Sequence, residues 1–194
     1  MRTKICGITS LEDAMSSIDA GANALGFVFY DKSPRYITQS QAKEIISKLP
    51  PFVEKVALFV NESVKNIDAI CQESGATLAQ LHFDVSAEFC DSLKTPYIKV
   101  VRAKSAEDIL NLKDEYILVD AYCETYGGAG KRINIEWFDG VDCSKIILAG
   151  GLDSTNVANL KAYGFFGVDV SSGVEISHGK KDTQKVQEFI TNAQ

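Results

Sequence analysis

The stretch Lys145-Ile146-Ile147-Leu148-Ala149-Gly150-Gly151 decides the fold. Four apolar residues in a row, closed by two glycines, lack the alternation of a half-buried antiparallel strand. They suit a parallel strand covered by helices. Working outward from it, the same unit recurs along the chain: short apolar strand, turn, amphipathic helix. Strands are predicted at residues 4–6, 24–28, 55–60, 78–81, 97–101, 116–120, 145–149 and 167–170. Ser10 precedes a helix over 11–20, and Gly21 supplies its left-handed stop. Ser105 and Asp108 have capping-box spacing, and Asp153 or Ser154 opens a helix ending near Tyr163. Further helices are predicted at 41–49, 63–74, 86–93 and 182–192, with a short one at 134–138. Eight units in 194 residues leave about 24 residues each. That is tight but feasible for an α/β chain closed into a (β/α)8 TIM barrel. A doubly wound open sheet needs fewer strands and a switch point, so eight alternations favour closure. No linker or low-complexity tract divides residues 1–194, which points to a single catalytic domain.

Composition narrows the classes. The chain is 45% hydrophobic and 24% charged, with a net charge of −6. No apolar run is long enough to span a bilayer and no leader precedes Lys4, so no membrane is expected and the cytoplasm is the default. The acidic balance, with no basic stripe among aromatics, argues against nucleic acid. Cys6, Cys71, Cys90, Cys123 and Cys143 show no CxxC spacing, so neither a zinc site nor a disulfide framework is indicated.

Strand alternation sets Lys4 and Cys6 on one face of the first strand, and Leu118 and Asp120 on one face of the sixth. Cys6 and Asp120 both end their strands, at the rim where a barrel gathers its catalytic groups. Strands one and six lie far enough apart around the ring to flank a small substrate. One group then takes a proton while the other gives one. Alone, a cysteine such as Cys6 reads more readily as a small buried hydrophobe, a reading weakened by Gly7 directly after it at a strand-to-helix turn, and Asp120 reads equally as a loop-ordering carboxylate. As a base Cys6 starts at a deficit: near an ordinary thiol pKa of 8.5, roughly 3% is thiolate at neutral pH, a gap of about 2 kcal/mol. Lys4 or the N–H groups after Gly7 are placed to narrow it, and the acidic limb of the pH profile is expected to follow protonation of this thiolate. Asp169 on the eighth strand is the expected partner of Lys4.

Ala149-Gly150-Gly151-Leu152 and Val170-Ser171-Ser172-Gly173 follow the seventh and eighth strands. Glycines admit close backbone approach, and N–H and hydroxyl groups donate to oxygens, so these loops read together as a phosphate cradle. Arg35, in the loop after the second strand, has the fork to clamp a planar carboxylate, or is a solvated loop charge. His82 shares a face with Gln80 and is either a ligand contact or a satisfied structural histidine. Gly127-Gly128-Ala129-Gly130-Lys131 is not a Walker loop, since Thr125 and Arg132 stand where Gly and Ser/Thr are required. It reads as a cover over the site, hinged on glycines.

Taken together, Lys4–Thr9, Gly26–Phe29 with Ser33–Ile37, Gln80-Leu81-His82, Leu118-Val119-Asp120, Ala149–Leu152 and Val168–Glu175 resemble the phosphoribosylanthranilate isomerase family nearly end to end. The resemblance implies an Amadori rearrangement in tryptophan biosynthesis, without metal or organic cofactor, by a monomer or homodimer acting on a phosphorylated small molecule. It implies Asp120 as general acid and Cys6 as general base. It further implies Arg35 on the anthranilate carboxylate, and Gly150, Gly151, Ser171 and Ser172 on the phosphate, with His82 and Asp169 in the substrate-binding set. Phe83 departs from the family's usual glycine and is expected to reshape the rim. Rival readings are another phosphosugar barrel enzyme or a silent phosphate-binding barrel. A metal-dependent epimerase wants more histidines than His82 and His178, and an indole-glycerol-phosphate synthase gives Cys6 no role.

Overall fold

A computed structural model describes residues 1–112, 115–122 and 132–194. Eight parallel strands close a barrel in chain order: β1 (Arg2–Cys6), β2 (Ala24–Val28), β3 (Glu54–Phe59), β4 (Leu78–Leu81), β5 (Tyr97–Ala103), β6 (Ile117–Ala121), β7 (Ile146–Leu148) and β8 (Gly167–Val170). The seam is the β1–β8 pair, with Lys4 opposite Asp169. Helices α1 (Leu11–Asp19), α2 (Gln39–Ile46), α3 (Val64–Ser74), α4 (Ala87–Ser92), α5 (Ala106–Leu110) and α6 (Thr183–Ala193) surround it. After β8 a small antiparallel hairpin, β9 (Glu175–Ser177) with β10 (Lys180–Lys181), folds back over the rim.

The expected barrel is present: β2, β4 and β8 have the expected bounds, and the other strand ends are displaced by at most two residues. Local signals placed most helices. Ser10, Ser63, Ser86 and Asp182 each accept a backbone N–H from the first turn of the helix that follows, and Asp108 accepts from the Ser105 N–H. Two expectations need correction. The second helix starts at Gln39 because Thr38 and Gln41 form a reciprocal capping box. The connection after β7 is a 3₁₀ segment, Val157–Tyr163, preceded by Asn156, which makes no side-chain cap. Its tighter winding is the usual form of a short, poorly capped connector.

Alternation along the strands separates two cores. Outward-facing Ile5, Leu25, Phe27, Phe59, Leu81 and Val119 are fully buried in one cluster with Val186, Phe189 and Ile190 of α6. Inside the barrel, Ile98, Val100, Leu118 and Ala149 form a second cluster, and Cys6, Val28, Leu58 and Val60 a third.

The interior also holds one ion pair, Lys4 Nζ to Asp169 Oδ1 at 2.8 Å, both side chains under 10% exposed. Burial works against the lysine charge, but Asp169 and Cys6 hold its pKa above the ordinary value. Lys4→Met is therefore expected to destabilise the barrel by about 3–5 kcal/mol, because Asp169 is left buried without its cation. Urea melts at neutral pH check this. Lys4→Met with Asp169→Leu should recover most of the loss, and a double variant as unstable as the single one counts against it.

Candidate active site

Cys6, Arg35, His82, Asp120, Asp169 and Ser171 line one pocket at the C-terminal end of the barrel. The two strand-end groups singled out for proton transfer thus open into the same space, one from β1 and one from β6. Gly26 on β2 makes room for the first. A Cβ there would sit 2.7 Å from Cys6 Sγ and 3.1 Å from Lys4 Cε, so only glycine lets both side chains lie over the neighbouring strand. Gly150 does the same for the second. Its φ is +92°, and a Cβ would meet the Ala121 backbone N at 2.9 Å and Asp120 Oδ1 at 3.0 Å.

Electrostatics set the two groups apart from ordinary residues. Burial, reinforced by the Asp169 charge, lifts the Asp120 carboxyl from 3.8 to about 6, against an Ala121 N–H bond and the cations Arg102 and Lys4 that favour ionisation. Burial also raises the Cys6 thiol; Lys4 opposes that rise, Asp169 adds to it, and Lys181 opposes it. The expected help from Lys4 is present, but burial outweighs it. His82 Nε2 lies 3.6 Å from Asp120 Oδ2. Burial drops the His82 pKa to about 4, so the imidazole is neutral at physiological pH and the contact is not an ion pair.

The loops after β7 and β8 meet. Gly173 lies against the Leu152 carbonyl so closely that a Cβ there would overlap it, at 1.9 Å. Ser171 Oγ is buried in the pocket wall and has no hydrogen-bond partner among the described residues. Gly151 turns at φ +62°, and its carbonyl accepts from Asn156 Nδ2 at 3.0 Å. Ser172 opens a three-residue 3₁₀ turn, Ser172–Val174. Gly150, Gly151 and Ser172 therefore shape the rim, while Ser171 is the member of the set that reaches the pocket.

Arg35 is no solvated loop charge. It is 5% exposed, and its Nε and Nη2 fork both oxygens of Glu175 at 2.8 and 2.7 Å. The fork already holds a carboxylate, one supplied by the chain itself. Asp169 lines the pocket while its Oδ1 is engaged with Lys4. Phe83 packs edge-on against Phe89 and is not among the residues that line the pocket. The glycine-rich segment 127–131 lies outside the described residues. Among the described residues no group of three or more His, Cys, Asp or Glu is placed to hold a metal ion, and no helix is long and apolar enough to cross a membrane.

Sequence reading missed Glu175 and Lys181. Both are buried, and they pair at 2.8 Å across β9 and β10. His178-Gly179 between them, with Gly179 at φ +78°, is a turn signal that sets the two on facing strands.

The family model described as N-(5'phosphoribosyl)anthranilate (PRA) isomerase matches residues 3–192. The chain belongs to this family. A relative named N-(5'-phosphoribosyl)anthranilate isomerase from Sulfurovum sp. (strain NBC37-1) is 62% identical over 193 residues, covering 100% of this chain and 98% of the relative. The crystal structure of phosphoribosyl anthranilate isomerase from Thermotoga maritima is similar at a TM-score of 0.92 and 40% identity, covering 100% of this chain and 98% of that one. A phosphoribosyl anthranilate isomerase solved with reduced 1-(o-carboxyphenylamino)-1-deoxyribulose 5-phosphate is similar at a TM-score of 0.86 and 39% identity, over 100% and 98% of the two chains.

Proposed function

We propose that the chain isomerises N-(5'-phosphoribosyl)anthranilate to 1-(2-carboxyphenylamino)-1-deoxyribulose 5-phosphate, a step of tryptophan biosynthesis. The observation that carries the mechanism is the shared pocket: a thiol and a carboxyl of raised pKa on separate walls, beside an unpartnered serine hydroxyl. Asp120 gives its proton to the furanose ring oxygen as the amine lone pair opens the ring to an iminium. Cys6 then removes the proton on C2, and the electrons flow to the iminium nitrogen as the enolamine forms. Proton return to C1 and loss from the C2 hydroxyl complete the ketose. Ser171 donates to the phosphate with Ser172 and the Gly150-Gly151 loop around it, and Arg35, which lines the pocket with its Nε and Nη2 held by Glu175, has only its remaining Nη1 for the anthranilate carboxylate. His82 and Asp169 complete the binding wall. The ligand is one phosphorylated small molecule, taken by a monomer or homodimer. Freshly generated phosphoribosylanthranilate is fluorescent, so loss of that signal on adding purified protein tests the activity, and no loss ends the reading.

The two pKa directions give a pH profile that differs from the sequence expectation. The productive form needs a thiolate with a raised pKa and a carboxylic acid titrating at about 6. Below about pH 6 Asp120 is protonated and the rate climbs with the thiolate. Above it, each gain in thiolate is cancelled by loss of the acid, so kcat/KM levels off until the thiol itself titrates. The acidic break therefore reports Asp120, although the slope beneath it belongs to Cys6. The substrate phosphate also titrates near about 6, so Asp120→Glu is the decisive comparison. The acidic break should move with the new carboxyl while the alkaline break stays. An acidic break that stays put assigns it to the phosphate and defeats this account.

A further inference from the structure

The β9–β10 hairpin buries a cation against the backbone of the proposed base. The Lys181 side chain has no exposed surface. Its Nζ donates to the Cys6 carbonyl at 2.5 Å, to the Ser171 carbonyl at 3.4 Å and to Glu175 Oε1 at 2.8 Å. Three acceptors use three N–H groups, the valence of an ammonium rather than a neutral amine, although burial pulls the Lys181 pKa below its ordinary value against the opposing pull of Glu175. The Lys181 backbone N–H donates to Asp13 Oδ2 at 3.2 Å, which ties the hairpin to the first turn of α1. One side chain thus joins the ends of β1 and β8 to the hairpin that closes over them.

The charge count around it is uneven. Lys4 pairs with Asp169 and also faces the Cys6 thiol. Lys181 shares Glu175 with Arg35, so two cations meet one carboxylate beside the thiol. We propose that Lys181 is a positioning residue for Cys6, fixing the end of β1 and supplying positive charge that favours the thiolate. This rests on Cys6 being the base. The other groups facing that region are Lys4 and Asp169 in the barrel, Asp120 and His82 across the pocket, Asp13 at the Lys181 backbone N–H, Lys185 on the Glu175 carbonyl, and His178 at the outer edge of the Arg35–Glu175 pair. Only Lys181 contacts the Cys6 backbone among these charges, and it acts on the thiol in the same sense as Lys4.

The test reads the thiol directly. Alkylation of Cys6 by iodoacetamide, assigned by peptide mass, is followed from neutral to alkaline pH. Lys181→Met should raise the midpoint by about one pH unit, about tenfold less thiolate at a fixed neutral pH. Glu175→Gln removes the negative charge and should lower it, while Lys181→Arg should stay near the parent protein. The alkaline break of kcat/KM should move in the same directions. Variants that lose activity with an unmoved midpoint, or that shift the same way, reduce the cluster to scaffolding and overturn the proposal. Should Lys181→Met fail to fold, the sign of the Glu175→Gln shift decides. If Cys6→Ser keeps turnover, the base assignment fails, yet the alkylation midpoints still report whether Lys181 acts on the thiol.

Discussion

Asp120→Asn should lower turnover by about two to four orders of magnitude, the usual contribution of a placed general acid, and at the same time make the barrel more stable. The two effects share one cause. Burial and Asp169 lift the Asp120 pKa from 3.8 to about 6, so the folded protein disfavours the ionised form that prevails above pH 6. Because the folded pKa is raised, the cost is present in full above about pH 6, shrinks as pH falls, and is gone below the unfolded value of 3.8. At 1.36 kcal/mol per pH unit the interval corresponds to about 3 kcal/mol. Asparagine keeps an oxygen for the Ala121 N–H and carries no charge. Urea melts should show the variant more stable at neutral pH, with the advantage vanishing near the ordinary carboxylate range. A variant that is inactive but no more stable at neutral pH would separate the acid role from the strained carboxyl described here.

Cys6→Ser should cost turnover by a similar factor, about 10²–10⁴, while leaving ligand binding in place. The side chain is 5% exposed and sits in a slot set by Gly26. Exchanging sulfur for oxygen leaves no large void, but a serine hydroxyl is a far weaker acid and yields almost no alkoxide at neutral pH. The measurement is single-turnover loss of substrate fluorescence beside the affinity for a reduced product analogue. Turnover close to that of the parent protein assigns proton abstraction to another group.

How far these groups were legible in the sequence differs residue by residue. The strands were, because runs such as Ile146–Leu148 must be covered on both faces. Cys6 and Asp120 were legible as strand-ending groups, and the Lys4–Asp169 pair followed from alternation and closure. Arg35 was half read: its fork was foreseen, but Glu175, the carboxylate it holds in this structure, was not. Glu175 and Lys181 look like surface charges in a polar tail. Their burial depends on pairing with Arg35 and Cys6 across 140 and 175 positions, which no local pattern encodes. The 3₁₀ segment after β7 was missed for the opposite reason, since a weak local preference decides winding there.

The seam between β1 and β8 has a consequence for biosynthesis. Cys6 is synthesised 175 positions before Lys181, the cation that holds its carbonyl. A nascent chain therefore carries the thiol without the cation that anchors its carbonyl, and it cannot bring the proton donor and acceptor together early. Such long-range closure makes folding slow relative to local helix formation. Catalytic competence accordingly waits until β8 and the hairpin that follows it have been made.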